Sequence, residues 1–157
     1  MDALHRQGDE LGEPLSALGA SEGGIYGRFG YGVASTSRSI TIDARRARLR
    51  PDITIPAGAA RFVEGAAARD HMRAVFDAAR RLRPTEVSRD ERWWDRLTDN
   101  WGRPEGAASP MYFLAHPEGY AAYRIEPQWN DGRPAHRLVL RELHALGPDA
   151  HRALWAT

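Results

Sequence analysis

Apolar positions recur at helical spacing in some stretches of this chain and alternate at strand spacing in others. From Asp70 to Leu82, Met72, Val75, Phe76 and Ala79 fall on one side of an amphipathic helix, and Pro84 ends it. Arg89 to Leu97 predicts a second helix, capped by Ser88 with Glu91 three residues later as the capping-box partner. It presents Trp93, Trp94 and Leu97 to the core, one of the two tryptophans as a partly exposed partner. Asp2 to Leu11 reads as the tail of a helix, with Leu4 and Leu11 on one side and Gly12 as its stop. Pro148-Asp149 opens a last helix near the chain end.

Strand signals fill much of the remainder. Pro14 to Ala20 predicts a short, largely buried strand. Gly23 to Gly32 predicts a tight turn, one or two helical turns and another turn. Val33 to Asp43 alternates through Val33, Thr36, Ile40 and Ile42, which predicts a long strand. Arg61-Phe62-Val63 is a brief strand. The last third reads as a meander of Met111 to Ala115, Gly119 to Gln128 and Arg137 to Ala145, with turns at Pro117-Glu118-Gly119 and Asn130-Asp131-Gly132. Arg45 to Ala60 has little periodicity and predicts a linker, which places a domain boundary there. The fold class is therefore α+β, mixed β-sheets flanked by helices in two pieces. Both ends of the sequence fall inside secondary structure, so two incomplete domains are expected, with unpaired strand and apolar surface at their edges.

Composition narrows the chemistry. At 157 residues the chain holds one ordinary domain or two incomplete ones. Cysteine is absent, which removes disulfide scaffolds, thiolate metal sites and cysteine nucleophiles. All 22 Lys+Arg positions are Arg, so Schiff-base chemistry and a Walker-type phosphate lysine are excluded too. A net charge of +1 does not call for a nucleic-acid partner. No apolar run approaches the ~18 residues of a membrane helix. Met1-Asp2-Ala3-Leu4-His5-Arg6 is followed by no apolar signal-peptide core, and a cytoplasmic protein is expected.

Several motifs invite chemistry and fail on context. Gly19-Ala20-Ser21-Glu22-Gly23 satisfies the nucleophile-elbow pattern of hydrolases. That fold needs repeated βα units and a downstream acid and His, whereas helices and an antiparallel meander follow here. Gly27-Arg28-Phe29-Gly30-Tyr31-Gly32 suggests a phosphate loop, but its glycines follow a helical turn and lead into a strand, the wrong polarity. The pyrophosphate motif of acetyl-CoA enzymes, Arg/Gln-x-x-Gly-x-Gly/Ala, needs Arg or Gln at position 27, which is Gly. The histidines (His5, His71, His116, His136, His144, His151) share no close metal-ligand spacing, so no metal is expected. Arg45-Arg46-Ala47-Arg48-Leu49-Arg50 reads as a solvated linker before an anion site.

Read whole, Ala20-Ser21-Glu22-Gly23-Gly24-Ile25-Tyr26-Gly27-Arg28-Phe29-Gly30-Tyr31-Gly32 closely resembles a segment of the enhanced intracellular survival (Eis) family of N-acetyltransferases, within the GNAT superfamily. The resemblance continues through Ile42 to Arg48, Phe113 to Ile125, Arg141-Glu142-Leu143 and Asp149 to Trp155, and so covers nearly all of the chain in order. It implies that residues 1–44 are the last part of a catalytic GNAT domain, 45–60 a linker, and 61–157 most of a central GNAT-like domain. The family's acetyl-CoA loop would lie before Met1, and a sterol-carrier-like domain with the terminal carboxylate that acts as base would lie beyond Thr157. Family members often carry His two positions before the motif's Ser, where this chain has Gly19.

The implied activity is acetyl transfer from acetyl-CoA, as co-substrate, to an amine of the aminoglycoside or lysine-like kind. The complete enzyme is expected to be a homo-oligomer. The family's general acid is a Tyr at the position of Tyr26, and Ser21 and Glu22 are the implied substrate contacts. A free tyrosine hydroxyl is less acidic than a free thiol by about 1.5 units, roughly 2 kcal/mol against donation to a fully formed thiolate. Such an acid must act while charge on sulfur is still developing, or in a site that evens the two proton affinities. Two further readings stand beside these: Tyr26 as an aromatic plug beneath a glycine turn, and the whole chain as a non-catalytic remnant or interaction module.

Overall fold

Met72, Val75, Phe76 and Ala79, the stripe that predicted a helix, lie buried along one side of α2 (Gly65–Arg80) in the computed structural model. Residues 1–55, 60–83, 86–98 and 109–157 are described, and they form two units, Met1–Thr41 and Ile42–Thr157. Residues 56–59 of the expected linker and the expected helix stop at Pro84 lie outside the described residues.

The first unit holds α1 (Asp2–Glu10) and two consecutive 3-10 turns, Gly23–Ile25 and Gly27–Phe29. The strands expected over 14–20 and 33–43 do not form. A strand exists by hydrogen bonding to a neighbour, and the described residues of this unit supply no ladder for either segment. Their apolar side chains stay in solvent: Leu15 is 87% exposed, Val33 84% and Ile40 81%. Period-two alternation therefore records what the segment could bury, and burial needs a second surface.

The second unit is an antiparallel four-stranded sheet in the order β1 (Arg61–Val63), β2 (Tyr112–His116), β3 (Gly119–Glu126), β6 (Arg137–Ala145). The short hairpin β4 (Trp129–Asn130) and β5 (Arg133–Pro134) interrupts the chain between β3 and β6. Its turn places Asp131 at φ 48° and Gly132 at φ 72°, the pair of positive φ values that a type I′ hairpin requires and that Asp-Gly tolerates. Helix α2 and α3 (Glu91–Thr98) pack with Trp94, Met111, Phe113, Tyr120 and Ala122. Leu114, Ala121 and Leu154 form a second cluster, with Tyr123, Leu140, Leu143 and Ala145 against it and Leu154 supplied by α4 (Pro148–Ala156). The alternation Phe113/Leu114 and Tyr120/Ala121 thus feeds two cores from one sheet.

A bulge controls which residues reach which core. Ala122 pairs with Glu142, but the next residue, Tyr123, pairs with Leu140, so Arg141 is the extra residue. Strict alternation would put Leu140 on the side of Glu142 and His144. The bulge moves it to join Leu143 and Ala145.

Helix α3 corrects two sequence expectations. Its first turn is capped by Asp90, whose Oδ1 accepts the Trp93 N–H at 3.0 Å, rather than by Ser88. The helix begins at Glu91, two residues later than expected, so the side chain one residue before it has the reach. Glu91, the expected capping-box partner, instead accepts from Arg69 at 2.9 Å and Arg73 at 2.7 Å. These guanidiniums, Arg73 first, hold its carboxyl below the usual carboxylate range. Trp93 is the partly exposed partner expected of the pair: it is 55% exposed while Trp94 is buried, because one side of a two-turn helix meets α2.

Gly119 sits where β3 leaves its turn. A Cβ there would lie 2.9 Å from the His144 carbonyl and 2.9 Å from a Leu154 methyl. The carbonyl belongs to the paired strand and has no room to yield. Gly119→Ala is therefore expected to destabilise the second unit by about 1–3 kcal/mol, read as a lower urea midpoint. A change within about 0.5 kcal/mol would mean that the β3–β6 ladder shifts freely. No helix among the described residues is long and apolar enough to cross a membrane.

Candidate functional site

The glycine-rich segment that carries the sequence resemblance folds as two 3-10 turns with Tyr26 at their junction, at φ −87° and ψ −21°. Gly30 ends the second turn at φ 85°, a left-handed conformation that glycine adopts without a Cβ clash. Its N–H donates to the Gly27 carbonyl at 3.1 Å, and the Phe29 and Tyr31 N–H groups donate to the Tyr26 carbonyl at 3.0 and 3.4 Å.

Tyr26 is half-buried, and its ring meets the Tyr31 ring edge-on at 6.3 Å and 76°. Tyr31 is held in turn: its hydroxyl lies 2.7 Å from Ser16 Oγ and 3.2 Å from His5 Nε2 on α1. Two residues far apart in sequence thus orient the ring against which Tyr26 rests. A cleft of about 410 Å³ opens beside them, lined by Leu4, His5, Asp9, Glu13, Leu15 and Ser16. Tyr26 does not line it. Ser21 and Glu22 are both exposed, and among the described residues neither side chain joins the Tyr26–Tyr31–His5–Ser16 chain. Glu22 occupies the cap position of the first 3-10 turn without a side-chain capping bond.

The end of the turn, residues 29–31, does not form a pyrophosphate cradle. An anion cradle needs adjacent N–H groups pointing outward, and those of residues 29, 30 and 31 are all engaged by the carbonyls of Tyr26 and Gly27. No group of three or more His, Asp or Glu side chains among the described residues is placed to hold a metal ion.

The second unit contains a polar cluster that sequence reading missed. Arg89 Nη1 donates to Glu142 Oε2 at 2.9 Å, and the hydroxyl of the fully buried Tyr120 donates to the same oxygen at 2.8 Å. The Arg89 guanidinium lies 3.8 Å over the Phe76 ring and 5.4 Å from that of Trp94. His144 stacks on Tyr120 at 5.2 Å and accepts at Nδ1 from Arg83 Nη1 at 3.4 Å. Burial, then the Glu142 carboxylate, pushes the Tyr120 hydroxyl far above its ordinary range. These residues come from α2, the segment before α3, β3 and β6, at separations of up to 61 positions. No local spacing could have joined them, although Tyr120 and Glu142 both fall within the segments of resemblance.

Comparison with known proteins adds the following. Residues 85–157 match the family model described as Acetyltransferase (GNAT) domain. The chain is 37% identical over 156 residues to an N-acetyltransferase Eis of Mycobacterium bovis (strain BCG / Pasteur 1173P2), covering 97% of this chain and 37% of that protein. It matches an N-acetyltransferase Eis of Mycobacterium tuberculosis (strain ATCC 25177 / H37Ra) to the same extent. An uncharacterized N-acetyltransferase of Streptomyces avermitilis is 36% identical over 165 residues, covering 97% of this chain and 39% of the relative. The chain thus spans less than two fifths of the length of these relatives.

Proposed function

Because this chain belongs to the enhanced intracellular survival (Eis) family of GNAT N-acetyltransferases, we propose that it supplies part of an enzyme transferring acetyl from acetyl-CoA to an amine. Residues 1–44 end the catalytic domain, 45–60 link, and 61–157 form most of the central domain. The acceptor is an aminoglycoside amine or a lysine-like one, and the complete enzyme assembles as a homo-oligomer. The observation that supports this reading is the placing of Tyr26: half-buried between two 3-10 turns, backed by Tyr31, with exposed Ser21 and Glu22 a few residues away.

In the proposed reaction the amine nitrogen forms a bond to the thioester carbonyl carbon, and the carbon–sulfur bond breaks. CoA departs as a thiolate, the Tyr26 hydroxyl gives its proton to sulfur, and the proton shed by the new amide nitrogen restores the tyrosine through solvent or base. Glu22 supplies a carboxylate, and Ser21 a hydroxyl, to a cationic amine approaching from solvent, which gives one proton to solvent or base before its nitrogen attacks. The engaged N–H groups of residues 29–31 leave the pyrophosphate of acetyl-CoA to be held elsewhere.

Thiol release from acetyl-CoA in the presence of an aminoglycoside tests the proposal in two arms. One uses the 157-residue chain, and the other uses a chimera in which it replaces the matching stretch of the Mycobacterium bovis relative. Turnover by the chimera and none by the chain alone is expected. A folded but silent chimera would sink the acetyltransferase reading and leave the interaction-module one. Turnover by the chain alone would sink the claim that it holds only part of the machinery.

A further inference from the structure

The Arg89–Glu142 pair ties the segment 86–98 to the sheet, and a titratable ring sits against it. Glu142 Oε2 takes Arg89 at 2.9 Å and Tyr120 at 2.8 Å, and His144 Nε2 lies 4.0 Å from that same oxygen. Arg83 is a donor only, so its 3.4 Å bond to His144 Nδ1 requires that nitrogen to be bare. The neutral ring therefore carries its proton on Nε2, the nitrogen 4.0 Å from Glu142 Oε2.

Adding a second proton cannot leave this arrangement intact. It must go to Nδ1, where it removes the acceptor that Arg83 uses and sets two positive groups 3.4 Å apart. The new imidazolium also competes with Arg89 for one carboxylate oxygen. We propose that His144 is a proton-operated release, whose protonation at Nδ1 expels Arg83, draws Glu142 away from Arg89, and so frees the 86–98 segment from the sheet.

The groups facing His144 are Glu142 from its own strand, Tyr120 from β3, Phe76 from α2, and Arg83, Glu86 and Arg89 from the segments flanking α2 and α3. Burial first holds the His144 ring below its ordinary value of 6.5; the Glu142 carboxylate, and less so Glu86, oppose it, while Arg83 and Arg89 push the same way as burial. The sign follows. The closed form binds the proton more weakly than the open form, so stability is full above that ordinary value and is lost as pH falls through the lowered one. Arg89 is the group released: it stacks on Phe76 and Trp94 and immediately precedes Asp90, the cap of α3.

Amide hydrogen exchange on the full chain tests this. After correction for intrinsic rates, the α3 amides are expected to exchange several-fold faster at about pH 5.5 than at about pH 7.5, with about tenfold the ceiling for one such group, and His144→Phe should remove that difference. Equal protection at the two pH values, or an undiminished difference in His144→Phe, overturns the proposal. Should that variant fail to fold, NMR on the unaltered chain decides: the His144 ring and the Trp94 indole N–H must titrate with a common midpoint, and separate midpoints overturn it.

Discussion

Replacing Tyr26 by phenylalanine in the active chimera is expected to lower kcat by about 10²–10⁴-fold, the range a positioned general acid contributes. KM for acetyl-CoA should change little, because the hydroxyl acts on the sulfur as it leaves. The substitution is well matched to the alternatives. Phenylalanine keeps the edge-on contact with Tyr31 at 6.3 Å and removes only the hydroxyl. If Tyr26 were an aromatic plug, the variant would fold and turn over like the parent. If it is the acid, folding is unchanged and turnover collapses. Thiol release under saturating acetyl-CoA separates the two, and an unchanged kcat removes Tyr26 from the acid role. Since the neighbouring ring is fixed by Ser16 and His5, circular dichroism of the variant should match that of the parent.

The second large effect is expected in the central unit. Glu142→Ala should destabilise it by about 3–5 kcal/mol, the usual consequence of removing one partner of a buried pair. The side chains of Arg89 and Glu142 retain only 13% and 17% of their exposure. Without Glu142 the guanidinium stays against Phe76 with no counter-charge, and the Tyr120 hydroxyl, wholly inside, loses its acceptor. Urea unfolding followed by circular dichroism should show a lowered midpoint with an unchanged slope. Removing all three polar groups together, as Arg89→Met, Tyr120→Phe and Glu142→Leu, should recover most of the loss, because no orphaned charge remains. A Glu142→Ala variant within about 1 kcal/mol of the parent would show that water reaches the pair and screens it.

Much of the second unit was legible along the chain. The 3.6-residue stripe from Met72 to Ala79, the Pro148 helix start and the Asn130-Asp131-Gly132 turn each depend on near neighbours, and each is observed. Arg137–Ala145 runs over the residues expected of it. The α+β class and the antiparallel order of the last three long strands follow from those local signals and short turns. The resemblance centred on Tyr26 could likewise be read without coordinates, because a run of glycines around one tyrosine is itself a local pattern.

Where interactions are distant, local patterns fell short. Val33 to Ile42 alternates as a strand should, yet forms none, because a ladder requires a partner that the pattern cannot supply. The Arg141 bulge decides that Leu140 faces one core while Glu142 and His144 face the other, and a period of two contains no instruction for it. Only that register sets Glu142 beneath Arg89 and His144 beside Arg83. Hydrophobic periodicity chose the elements of this protein. Pairing register and packing across 50 or more positions chose which charges they enclose.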